Sequence, residues 1–258
     1  DALAAPELVS NAWEKLGGGQ ADIYYPGFFE GCWTVSSTLV SIDTPKGIEY
    51  TNDAEQIRRA RENELNQTLR YDQCFVRNAK DRVVASRALN TKNITEAIIG
   101  RREDIQYNWN VDDPNVLKIK FPGLNIFTRV TRRFSSSADP EGEDLRGDLR
   151  SMETSELFEQ VFDKGVGVPK VKASRLITKW KWRSVQDTPE GEPQVIASQT
   201  LNNYVTPGDS ADVSDLSFTN LSEPASIYKY RMAFVKAEKN NTNNDAMPSA
   251  SASSAGDT

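Results

Sequence analysis

The sequence predicts a mainly β protein, an antiparallel β-barrel with short N-terminal and inserted helices. Three observations lead there. Gly31-Cys32-Trp33 opens a long strand-like run through Ile42. Two later segments, Thr178–Arg183 and Tyr228–Phe234, alternate with a period of two, so each has one buried side. Strand-like segments number eight to ten, enough for a barrel to close around a filled or ligand-holding interior.

Taken in order, residues 1–19 read as a short helix that stops at Gly17-Gly18-Gly19, with Leu8, Ala12, Trp13 and Leu16 on one face. The first strand is expected over 28–42, behind the aromatic pair Phe28 and Phe29. Residues 53–66 are charged and rich in helix formers, with few apolar positions, and read as an inserted surface helix or loop. Strands are then expected over 68–77, 82–89, 105–109, 117–121 and 125–134, with a short helix over 94–99 ending at Gly100. Residues 135–150 are polar and acidic and read as an exposed loop. Residues 154–162 suit helix or strand equally. The last strands are expected over 170–185, 194–205 and 225–235. Residues 237–258 are low in complexity and read as a disordered tail. The domain reading is an N-terminal helical extension over 1–23, the barrel over 24–236 and the tail.

Composition removes much chemistry. The 258 residues include no histidine, so no Ser-His-Asp triad, Cys-His dyad or His-held metal is available. Two cysteines cannot build a zinc ribbon or iron–sulfur cluster. A net charge of −6 argues against nucleic-acid binding, whose main affinity comes from a basic face. No stretch approaches the roughly 18 apolar residues of a membrane span. The acidic run from Asp139 to Asp148 lacks EF-hand spacing and reads as a solvated loop rather than a calcium site. Any catalysis would rely on Asp, Glu, Lys, Tyr or Cys and any metal site would be carboxylate-rich; the reading adopted is non-catalytic, with no required cofactor and no metal. A start at Asp1 fits a chain from which a targeting segment has been removed, although a chain cut at another boundary looks the same.

The inward rows supply the candidate ligand residues, Trp180 and Trp182 on one strand, Tyr228 and Tyr230 on another, with Trp33 at the base. A packed core explains these rows as well as a pocket for a flat apolar ligand does. The opposite rows, Lys179, Lys181, Arg183, Lys229 and Arg231, keep the strand surfaces solvated or meet an acidic partner, and Arg129, Arg132 and Arg133 read the same way. Trp13, Phe28 and Phe29 are the candidate partner contacts. If strands 28–42 and 68–77 pair antiparallel, Cys32 comes near Cys74. Trp33 and Phe75 inward put both cysteines outward, so a disulfide is available in an oxidising compartment, with two separate thiols the alternative.

Several blocks together resemble a family of lipocalin-like proteins of cyanobacteria and plastids. They are Tyr25-Pro26 leading into Gly31-Cys32-Trp33-Thr34-Val35-Ser36-Ser37, Cys74–Arg77, Val83–Asn90, Phe127–Arg133, Thr154–Phe162, Gln199–Val205 and Ile227–Arg231, in order over about residues 24–236. In lipocalin-type barrels the Trp of the first strand closes the barrel floor. Here Ser86 stands where the resemblance has the Asp of an Asp-Arg pair, and Cys74 replaces a larger side chain. The resemblance implies a chloroplast protein of the thylakoid lumen, peripheral to the membrane. Its expected partners are photosystem or light-harvesting proteins, which it would serve as a subunit or assembly factor. The alternatives are a barrel carrying a carotenoid, chlorophyll derivative or lipid, and a de-epoxidase-like enzyme working through carboxylates.

Overall fold

The structure is a computed structural model that describes residues 21–51, 53–136, 150–183, 188–206 and 223–237. The expected helix over 1–19 with Trp13, most of the acidic loop and all but the first residue of the tail lie outside the described residues.

Ten strands form one sheet, and each pairs antiparallel with its neighbours. They are β1 (Gly31–Asp43), β2 (Thr68–Arg77), β3 (Val83–Ala85), β4 (Gln106–Asn110), β5 (Asp113–Phe121), β6 (Leu124–Ser135), β7 (Arg150–Asp163), β8 (Lys170–Trp182), β9 (Val195–Tyr204) and β10 (Ser226–Lys236). The spatial order is β3-β2-β1-β10-β9-β8-β7-β6-β5-β4. The segment 154–162, undecided from periodicity, is strand: it lies inside β7 and pairs with both β6 and β8.

The barrel is a half-barrel. Among the described residues no ladder joins β3 to β4, and helix α2 (Arg87–Ile99) lies instead against β2, β4 and β5. The sequence reading carried a strand through Leu89 and began the helix at 94; the chain leaves the sheet after three β3 residues and is helical from Arg87. The helix ends at Gly100, whose φ of +80° suits glycine. The edge that α2 covers is satisfied through side chains. The Asn90 amide accepts from the Cys74 N–H at 2.7 Å and donates to the Cys74 carbonyl at 3.0 Å, and Asn93 donates to the Asp72 carbonyl at 2.8 Å. Asn90 thus does for β2 what one residue of a neighbouring strand would do.

The strand directions define two ends. The end where β1 starts is the floor; the mouth is where β1, β5, β7 and β9 finish. Helix α1 (Ala54–Asn63) lies near the mouth, packing Ile57 and Ala60 on Leu39 and Ile42 of β1. Apart from Ala54 its other positions are polar, which explains its faint apolar signal in the sequence.

Candidate functional site

The floor is filled by aromatic side chains. Phe29, Trp33, Phe75, Trp180, Trp182 and Phe234 are each 4% exposed or less. The segment before β1 makes this possible. Pro26 leads into a single 3-10 turn, Gly27–Phe29, which points Phe29 back into the barrel. The Trp33 indole N–H donates to the Phe29 carbonyl at 2.7 Å, locking that turn to β1. Gly31 follows with φ +102°, a conformation that other residues adopt at a cost. Phe29 meets Trp180 and Trp182 edge-on at 5.7 and 5.5 Å between ring centres, and Phe75 at 5.3 Å. Lys236 Nζ sits 4.3 Å from the centre of the Trp33 ring, a cation–π contact over the floor.

This arrangement divides the candidate ligand residues. Trp33, Trp180 and Trp182 belong to the packed floor, while Tyr228 and Tyr230 lie nearer the mouth, half-buried against the α1 cluster. Burial raises the Tyr230 phenol well above its ordinary range, and raises Tyr71 beside it to about 12. Phe29, expected at a partner surface, is fully buried instead, because the 3-10 turn folds it inward. Phe28 is partly buried and packs on the same cluster. Residues 21–23, read as the end of an extension, are part of the barrel: Asp22 and Ile23 are buried, and the neighbouring Tyr25 bridges to Val83.

Cys32 and Cys74 form a disulfide, with S–S 2.05 Å. They stand directly opposite each other in the β1–β2 register. The Cys32 carbonyl bonds to Ala237 and the Cys74 backbone groups bond to Ser86 and Asn90, so neither residue bonds its opposite. That is the narrow pair of an antiparallel ladder, in which side chains come closest.

The strongest polar feature was not legible in the sequence. Arg133, read as one of a solvated row, is completely buried. The cause is a bulge in β6, where the register with β7 shifts between Val130 and Arg132. One extra residue reverses the faces beyond it. Arg133 and Ser135 therefore point inward, and Phe134 is left 53% exposed. Arg133 Nε donates to Glu156 at 2.6 Å, and its Nη1 donates to Asn115 at 3.0 Å and to the Ala21 carbonyl. Arg87 makes a two-pronged contact with Glu156, at 2.8 Å on both arms, and reaches Asp22 at 2.7 Å. This is the Arg that follows Ser86, at the first turn of α2. The cluster ties the N-terminal segment, α2, β6 and β7 together with two positive and two negative groups. Burial would raise the Glu156 carboxyl, but Arg87 and Arg133 outweigh it and hold it at about 2. Burial, and then the Glu156 charge, push the Tyr25 phenol far above its usual range. Neither group changes charge near neutral pH.

At the mouth, Asp53 receives Lys172 at 2.5 Å and Lys170 at 3.4 Å. The cavity beside them, bounded by Asn203 and Ser226, holds about 20 Å³, room for one water. Among the described residues no group of three or more Cys, Asp or Glu side chains is placed to hold a metal.

The convex face carries the basic rows. Arg70, Ser36, Ala233, Ile196 and Lys181 lie side by side across β2, β1, β10, β9 and β8, and Thr38, Arg231, Ser198 and Lys179 form the adjacent row. Lys179 pairs with Glu153 at 3.6 Å and Lys229 with Asp43 at 2.9 Å. Arg70, Lys181 and Arg231 are exposed and form no ion pair among the described residues. Between them stand the small residues Ser36, Ala233 and Ser198 and one exposed isoleucine, Ile196.

No curated protein and no solved structure matches the chain. A profile described as a domain of unknown function, DUF6816, matches residues 17–238, a span that takes in the floor, the buried charge cluster and every strand of the sheet. The chain belongs to the DUF6816 family.

Proposed function

We propose that this is a non-catalytic accessory protein of the thylakoid lumen that binds a photosystem or light-harvesting complex, as a subunit or assembly factor. The observation that carries the reading is the convex strip with the cations Arg70, Lys181 and Arg231, unpaired among the described residues, on a chain whose net charge is −6. A chain that keeps a basic strip against its own acidic balance is suited to an acidic protein surface, where complementary charge supports approach and orientation. The packed floor supports the same reading, since the protein's own rings occupy the space that a flat ligand would need. The Cys32–Cys74 disulfide fits an oxidising compartment. The compartment itself rests on the family resemblance.

The test is gentle native fractionation of thylakoids, following the chain by mass spectrometry. Co-migration with a photosystem is the expected result, and R231E with K181E is expected to release the protein. Migration at its own mass in the unaltered protein would overturn the reading.

One observation favours a second reading, a carrier of a pigment or lipid. Toward the mouth the inward positions Tyr71, Tyr228, Tyr230, Leu201, Phe158 and Phe162 are only half-buried, with Gln160, Lys172 and Gln199 on the same face, so the inner surface there is less tightly packed than the floor. A carrier would yield a chromophore or lipid on solvent extraction of the native protein; an empty extract would exclude it.

A further inference from the structure

Exposed apolar side chains stand out at the loop tips of the mouth, whereas those toward the floor, Phe134, Ile196 and Val235, lie on strands. Four connections at the mouth are described: between β1 and β2, between α2 and β4, between β5 and β6, and between β7 and β8. Two of them, and the end of α2, present large apolar groups to solvent. Tyr50 is 62% exposed, Ile98 and Ile99 at the end of α2 are 64% and 50%, and Val166 and Val168 are 84% and 95%. The β5–β6 turn adds exposed Pro122. The described floor connections, 78–82, 111–112 and 188–194, carry no exposed large apolar residue.

The β7–β8 tip is the most pronounced. Its sequence, Lys164-Gly165-Val166-Gly167-Val168-Pro169, alternates valine with two glycines of positive φ, +71° and +80°. Nothing among the described residues covers either valine. Cations flank the apolar tips: Lys118, Lys120 and Lys164 are exposed and form no ion pair among the described residues. The nearby acids Glu103 and Asp104 are matched by Arg101 and Arg102; Asp163 is the opposing charge beside these lysines, and Glu49, Glu62 and Glu64 lie in the β1–β2 connection. Beside the same rim, a shallow groove of about 440 Å³ has Phe127 and Val161 on its floor and Lys118 and Lys120 along it.

A bare apolar tip flanked on the β5–β8 side of the rim by three lysines matches the two-part chemistry of a bilayer surface. The tips enter the boundary between headgroups and acyl chains, and the lysines meet anionic headgroups. We propose that the mouth rim is a membrane-docking surface that seats Val166 and Val168 in a bilayer containing anionic phospholipid. The half-open interior would then face the membrane. This does not rest on the convex strip or on a photosystem partner.

The experiment is co-sedimentation of the full chain with phosphatidylcholine vesicles, with and without phosphatidylglycerol. The protein is expected to sediment with the anionic vesicles. V166D/V168D is expected to lower that partition at least ~10-fold, because two valines forgo burial. Its unfolding midpoint should stay unchanged, since both side chains already stand in solvent. K120Q/K164Q is expected to weaken binding and flatten its salt dependence. Failure of the unaltered chain to sediment with anionic vesicles, or wild-type binding by V166D/V168D, would overturn the proposal. Binding only to membranes that retain their proteins would overturn it too, and would assign the rim to a protein partner.

Discussion

Arg133 and Glu156 concentrate at two residues a cost that the fold meets only by pairing them. A guanidinium with no solvent contact needs a carboxylate at hydrogen-bond distance, and Glu156 serves both Arg133 and Arg87. Buried ion clusters add little net stability but are expensive to break, because the remaining charge stays buried. E156Q is therefore expected to cost about 3–5 kcal/mol in urea unfolding. The acid side of the stability profile carries the same signature. The folded Glu156 is held near 2, against 4.5 for the free group. Its contribution is thus fully present above about pH 4.5 and is lost as pH falls toward 2, an effect of about 3 kcal/mol. In E156Q that part of the acid slope should vanish; an unchanged slope would show that Glu156 is not the group responsible.

At the scale of elements, the edge of β2 is the weak point, and two devices hold it. One is the disulfide, which joins β1 to β2 across a sequence separation of 42. In the chain-entropy account a loop of that size contributes about 4 kcal/mol. Reduction, or C32S/C74S, should lower the unfolding free energy by about that amount, measured with and without reductant. The other is Asn90, 8% exposed, which occupies both backbone groups of Cys74. N90A leaves the buried Cys74 N–H without a partner, while the Cys74 carbonyl keeps the Ser86 N–H, and is expected to cost about 1–3 kcal/mol. Hydrogen exchange offers a sharper check. The Cys74 amide should lose protection in N90A, whereas amides in the centre of β8 should change only by the global loss.

The whole molecule is built with unequal ends. The floor is dense with rings, and F29A should cost about 3–5 kcal/mol there. The mouth holds half-buried tyrosines and a helix, α1, attached through two buried side chains and the Asp53 bridges. Native-state hydrogen exchange should accordingly find α1 opening far more often than β8, β9 and β10 near the floor. Equal protection at both ends would contradict this division. The outer surface divides as well, with cations along the convex strip and apolar tips on the rim, so the two docking proposals can fail separately.

Much of this was legible in the sequence where the signal is local. Period-two rows at 178–183 and 228–234 report strands with one buried side, because side chains in a strand alternate whatever the partner. Trp33 inward and Cys32 outward follow from the same alternation, and so does the shared face of Cys32 and Cys74. Register, bulges and edges depend on partners distant in the chain, and only the tertiary structure decided them. The β6 bulge turned Arg133 from a surface residue into a buried one. A short β3 and the helix after it left the barrel open at one seam. The 3-10 turn at Gly27–Phe29 sent a candidate contact residue into the floor. Each of these is a choice between locally similar conformations, and the free energy that selects one comes from packing against elements that the local sequence does not contain.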